Sequence, residues 1–187
     1  MNDPAISLLI QKEVMTNFKE GLKAVKAFAF DVDGVLSMPE VYLHPSGDLM
    51  RSMNTKDGYA LQYAVKRGYP IAIITGGTSE SVAQRFKGLG ITDIYLASSC
   101  KTDDFTDFLF KYDLKPEEVL FMGDDLPDYE VMKRAGVPCC PSDAVDEIKS
   151  AAHYISPFAG GKGCVRDVIE QVLRLHGRWM DGEAFVW

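Results

Sequence analysis

The chain has 187 residues, 47% hydrophobic and 25% charged, which is enough apolar material for one sizeable core and unlike a disordered, collagen-like or disulfide-built sequence. Its 20 basic residues against 27 acidic ones give a net charge of −7, which argues against sequence-independent nucleic-acid binding and makes any phosphate chemistry local. Cys100, Cys139, Cys140 and Cys164 form no C-x-x-C pair and are expected to be reduced, buried thiols.

The stretch Met1 to Lys12 carries Asp3 and only a short apolar run, so it lacks the basic region and cleavage site of a secretory signal. No apolar stretch approaches the roughly 20 residues that span a bilayer, and a soluble, cytoplasmic chain is expected. Ile6, Leu9, Ile10, Val14 and Phe18 then fall near helical spacing until Gly21, predicting an amphipathic helix appended to the core. From Val25 to Phe30 an apolar run broken by one lysine stops at Asp31-Val32-Asp33-Gly34, the pattern of a buried central strand with acids at its carboxyl end. Val41 to His44, the turn-forming Pro45-Ser46-Gly47-Asp48 and Leu49 to Met53 predict a β-hairpin, an insertion at about residues 37–53.

Beyond it, helices at Tyr59–Lys66, Glu80–Phe86, Phe105–Tyr112, Tyr129–Ala135, Val145–Ala151 and Val165–His176 alternate with strands. The strands fall at Ile71–Ile74, Ile94–Leu96, Val119–Met122, near Val137 and near Tyr154. This order predicts an α/β fold, a doubly wound and mainly parallel sheet, in a single domain over 1–187 with no repeat and no linker. The tail from Gly177 to Trp187 contains Trp179, Phe185 and Trp187 without a period. It is either disordered or packed so that its aromatics are buried on a surface.

Open sheets of this kind bind ligands outside the carboxyl ends of their strands, where strand order reverses. Three predicted strands end there in polar residues: Asp31 and Asp33, Thr75, and Asp124 with Asp125. Two carboxylates one residue apart, followed by glycine, can share a divalent cation, with Mg²⁺ expected from the oxygen donors. Asp31 can then attack phosphorus while Asp33 exchanges protons with the leaving alcohol. Asp124 can add a carboxylate ligand, Lys101 a point charge on phosphate oxygens, and Thr75 with the amides of Gly76 and Gly77 further donors at a helix start. Taken singly, Asp-x-Asp and Gly123-Asp124-Asp125 also read as turns or helix caps, and Thr-Gly-Gly as a loop opening. A dinucleotide-binding reading would need G-x-G-x-x-G after the first strand, where this chain has acids.

In order and context these pieces resemble the haloacid dehalogenase superfamily of phosphohydrolases: Asp31-Val32-Asp33-Gly34 after the first strand, Thr75 after Ile73-Ile74, Lys101 at a helix start, and Gly123 to Asp128 after a later strand. The resemblance implies an aspartyl-phosphate mechanism. Asp31 is nucleophile and metal ligand. Asp33 is general acid and then base, binding metal through its backbone carbonyl. Asp124 is the remaining metal ligand, Thr75 and Lys101 bind phosphate, and Asp125 or Asp128 orients Lys101 or metal-bound water. A non-catalytic binding module of the same fold would be marked by loss of the nucleophile or metal ligand, and all are present here.

Members of the superfamily usually carry a large cap, whereas only a hairpin and one helix separate Asp33 from Thr75. Together with Asn54-Thr55-Lys56-Asp57-Gly58 and Gly160-Gly161-Lys162-Gly163-Cys164-Val165-Arg166, this looks like the 3-deoxy-D-manno-octulosonate 8-phosphate phosphatase family, over about Lys23 to Leu175. That resemblance implies a phosphorylated sugar-acid substrate, lipopolysaccharide synthesis as pathway, and a homotetramer whose subunits help close each other's sites. It also places Asn54, Thr55, Lys56, Asp57 and Gly58, with Gln62, Gly76, Gly77 and Arg85, at the substrate; Asn54 and Thr55 are equally good helix caps. Many relatives have Arg where this chain has Lys56 and Gly77, which removes bidentate grips on an anion. A nonulosonate 9-phosphate, the same sugar-acid chemistry on a longer chain, is the rival substrate.

Overall fold

The computed structural model describes residues 18–182 together with Ala184 and Phe185. The helix expected over 6–18 therefore lies outside the described residues except for its end, where 18–24 form helix α1.

Strand β1 (Ala27–Phe30), β4 (Ile71–Ile74), β6 (Val119–Met122) and β7 (Val137–Cys140) are buried at every position. Continuous burial without alternation is what a parallel sheet covered on both faces requires. With β5 (Asp93–Tyr95) and β8 (Tyr154–Ile155) they form a six-stranded sheet in the order β5-β4-β1-β6-β7-β8, every pair parallel. A separate antiparallel pair, β2 (Tyr42–Leu43) and β3 (Leu49–Met50), makes the hairpin.

Period-two alternation sends Phe28, Phe30, Ile71, Ile73, Leu120 and Met122 to one face and Ala27, Ala29, Ala72, Ile74, Val119 and Phe121 to the other. On the first face pack α1, α2 (Thr55–Lys66), α3 (Glu80–Lys87) and α7 (Cys164–Leu175), through Leu22, Leu61, Phe86 and Ile169 among others. On the second pack α4 (Lys101–Lys111), α5 (Tyr129–Arg134) and α6 (Asp146–Ala151), through Phe105, Phe108, Met132 and Ile148. The result is a three-layer α/β/α sandwich in which β1 sits centrally. The chain fills one side with β4 and β5, then crosses to fill the other from β6 onward, so strand order reverses between β1 and β6.

Several boundaries differ from the sequence reading. Helix α2 starts at Thr55 rather than Tyr59 because the Asn54 side chain accepts the amide of Lys56 at 2.9 Å, which lets a polar first turn form before the apolar stripe begins. Helix α4 likewise opens on the polar turn from Lys101. Strand β5 ends at Tyr95, one residue short of the expected Leu96, and the hairpin strands are two residues each, extended only by a bridge between Ser37 and Met53.

The tail's described residues lie on their own chain. Trp179 stands edge-on to Tyr63 with centroids 5.5 Å apart and is flanked by the guanidinium groups of Arg166 and Arg174. Asp181 accepts from Tyr63 Oη at 2.6 Å and pairs with Arg67, and Tyr59 Oη donates to the carbonyl of Ala184. Among the described residues no helix is long and apolar enough to cross a membrane.

Candidate active site

Each segment that follows a central strand delivers its polar residues to the same edge of the sheet. Asp31 follows β1, Thr75 follows β4, Asp124 follows β6, and Lys101 opens α4. The loop after β1 turns sharply at Gly34, whose φ of 79° is left-handed and where a Cβ would collide with the Asp124 carboxylate. Glycine at this position is what lets the acids of β1 and β6 approach each other.

Asp31 is 7% exposed, and one of its oxygens lies 2.9 Å from Lys101 Nζ. The same ammonium donates at 2.7 Å to Asp128, which is fully buried. The other oxygen of Asp128 accepts the amides of Asp124 and Asp125, at 3.0 and 3.5 Å. Of the two acids expected to orient Lys101, it is therefore Asp128 that does so. Asp125 is exposed and caps the following turn through the amide of Leu126 at 2.8 Å.

Carboxylate oxygens of Asp31, Asp124 and Asp128 lie within 4.8 Å of one another. Burial, the neighbouring Asp128 and the opposing pull of Lys101 leave the Asp31 carboxyl well above the usual carboxylate range. Burial and then the charges of Asp31, Asp128 and Asp125 push Asp124 up to about 8. Burial works against the Lys101 ammonium, yet Asp31 and Asp128 outweigh it and hold its pKa above the ordinary value. Asp124 Oδ1 is buried without a hydrogen-bond partner. An oxygen-rich, over-charged cluster with an orphaned buried acceptor fits a hard cation such as Mg²⁺, for which Asp31 and Asp124 have acceptor capacity to spare.

Thr75 is buried, its Oγ1 accepting the amide of Gly77 at 3.1 Å, so the hydroxyl proton is free to be directed elsewhere. Gly76 and Gly77 follow at the lip of a cleft of about 920 Å³ between the hairpin and residues 76–81. Asp33 is half-exposed and gripped by a residue that sequence reading did not single out. Arg51 donates through Nε to one carboxylate oxygen at 2.5 Å and through Nη2 to the other at 2.9 Å. Its only sequence signal was a lone cation within a hairpin strand expected over Leu49 to Met53.

The expected substrate segment splits. Thr55 and Lys56 are exposed at the start of α2, and Gln62 is half-buried further along it. Asn54 caps α2 and donates to the carbonyl of Gly161 at 3.2 Å. Asp57 differs from the expectation: it is 1% exposed and spends one oxygen on the amide of Arg166 at 2.7 Å, tying α2 to the start of α7, and burial raises its pKa. Gly58 lies beneath the guanidinium of Arg85, which is thereby held over α2. All four cysteines are free; Cys139, Cys140 and Cys164 are buried, whereas Cys100 is exposed against expectation.

The chain, with this strand order and an acid pair after its first strand, is similar to known proteins. The family model of haloacid dehalogenase-like hydrolases matches residues 55–136, and the chain belongs to that family. Within it, the chain stands with the 3-deoxy-D-manno-octulosonate 8-phosphate phosphatases. It is 36% identical to KdsC of Escherichia coli K12 over 154 residues, 82% of each chain. The solved phosphatase from Yersinia pestis superimposes with a TM-score of 0.84 at 30% identity, over 87% of this chain and 88% of that one. The Moraxella catarrhalis phosphatase, solved in complex with magnesium ion, phosphate ion and KDO, gives 0.82 at 31% identity over 86% and 92%.

Proposed function

We propose that this chain is a Mg²⁺-dependent phosphatase that hydrolyses 3-deoxy-D-manno-octulosonate 8-phosphate through a phosphoryl group carried on Asp31. The observation that carries the reading is the convergence of Asp31, Asp124, Asp128 and Lys101 at the carboxyl ends of β1 and β6. The likeness to KdsC supports the substrate.

In the first half-reaction an Asp31 oxygen bonds to phosphorus as the ester P–O bond breaks, and the departing sugar oxygen takes a proton from Asp33. In the second, Asp33 takes a proton from water, the water oxygen attacks phosphorus, and the P–O bond to Asp31 breaks to release phosphate and restore the carboxylate. Lys101 and the hydroxyl of Thr75 neutralise and orient phosphate oxygens, while Asp128 holds Lys101 so that its charge is fixed before substrate arrives. Asp31, Asp124 and the backbone carbonyl of Asp33 are the groups that would hold Mg²⁺, which when bound would supply positive charge against the repulsion between a carboxylate and a phosphate.

The test is phosphate release by wild type and Asp31→Asn, with Mg²⁺ and with chelator, on the octulosonate 8-phosphate and on a nonulosonate 9-phosphate. Release that requires metal and drops by about a thousandfold or more in the variant supports the reading. Release that survives Asp31→Asn would sink the nucleophile assignment, and a preference for the nine-carbon substrate would replace the sugar.

A further inference from the structure

The mechanism above makes no use of the bidentate pairing of Arg51 with Asp33. Arg51 follows β3 directly, and its side chain is only 6% exposed. Besides its two bonds to Asp33, it donates through Nη1 to the carbonyl of Leu49 at 2.9 Å, so the guanidinium is fixed to the hairpin backbone. Ser37 Oγ adds a contact to Asp33 Oδ1 at 3.2 Å. The guanidinium lies along Gly77: a Cβ there would come within 3.3 Å of both Arg51 Nη2 and Thr75 Oγ1. A side chain at 77 would thus compete for the space that Arg51 occupies beside the phosphate-facing threonine.

A lone aspartate rotates broadly about χ2, and proton transfer works only within hydrogen-bond reach of the reacting oxygen. A planar, bidentate arginine removes that rotation, and lysine cannot do the same. Arg51 uses one lone pair on each oxygen, which leaves another on Oδ2 for the transferred proton. Resting on the reading that Asp33 is the acid and base, we propose that Arg51 is its positioning residue: it holds the plane of the Asp33 carboxylate and makes the hairpin part of that acid's mounting.

The test compares kcat/KM of wild type, Arg51→Ala and Arg51→Lys on the sugar phosphate and on p-nitrophenyl phosphate. This constant reports only transfer to Asp31, and nitrophenolate leaves without a proton. Arg51→Ala should lose about a hundredfold on the sugar phosphate and less than about threefold on the nitrophenyl ester, with Arg51→Lys in between. The inhibition constant of the product sugar acid should stay unchanged. Equal losses on both esters, no loss on either, or a tenfold weaker product would overturn the proposal, the last by making Arg51 a sugar contact. If Arg51→Ala does not fold, Arg51→Lys carries the same comparison. A wild type that releases phosphate from neither ester would sink the phosphatase reading, and the proposal with it.

Discussion

Lys101 bridges two buried acids, so its removal should have a structural effect besides the catalytic one proposed above. Breaking a buried ion pair by deleting one partner typically costs about 3–5 kcal/mol, and Lys101→Met should destabilise the chain on that order in chelator. Mg²⁺ should recover part of the loss, because it replaces the missing charge; denaturant titration with and without metal checks both. Asp124 adds a dependence on pH. Its carboxyl, ordinarily 3.8, titrates at about 8 in the folded chain. Between those values the folded state keeps a proton that the unfolded state has released, so this residue makes stability fall as pH rises through the window. Melting temperatures in chelator should therefore drop from about pH 5 to about pH 8, and Asp124→Asn should flatten the slope. The increment from Mg²⁺ should grow over the same range, since metal must displace that proton. Asp31, Thr75, Lys101 and Asp124 could be read from the sequence because each stands immediately after a strand or at a helix start. Arg51 could not, because only the folded hairpin brings residue 51 back to residue 33. Asp57 misled for a related reason, as a polar residue beside a motif looks available until the helix turns it inward.

At the scale of elements, the strands of the central sheet were legible because parallel burial writes uninterrupted apolar runs. Starts of helices were not, since α2 and α4 begin on capped polar turns that carry no apolar period. The loop before α7 lies against the loop after β1: a Cβ on Gly160 would run into the backbone of Gly34. Gly160→Ala should cost about 1–3 kcal/mol and lower kcat together with Mg²⁺ affinity, because the displaced backbone carries Asp33 and Gly34. Calorimetry and metal titration on the same preparation would show whether the two losses travel together. Trp179 packs on Tyr63, Arg166 and Arg174, none of which is among the acids that would hold Mg²⁺. Trp179→Ala should therefore lower stability by about 1–2 kcal/mol while leaving Mg²⁺ affinity unchanged.

At the scale of the molecule, the hairpin presents apolar side chains to water: Tyr42 is 57% exposed, Leu43 79%, Leu49 44% and Met50 47%. An exposed apolar patch of this kind on a two-stranded ribbon favours assembly. Light scattering should give a mass above one chain for wild type, and Leu43→Asp should reduce it. The layered fold itself was legible from the alternation of apolar runs, but the exposed apolar patch was not, because a short exposed strand has the same composition as a buried one. The contact of Gly160 with Gly34 also bears on how the protein comes into being. A growing chain that has made every acid from Asp31 to Asp128, but not yet the last loop and helix, owns all the groups proposed for catalysis and lacks the wall that sets them. Metal binding should therefore arrive late in synthesis, as a single event when the final helix docks, rather than accumulate as each ligand is added.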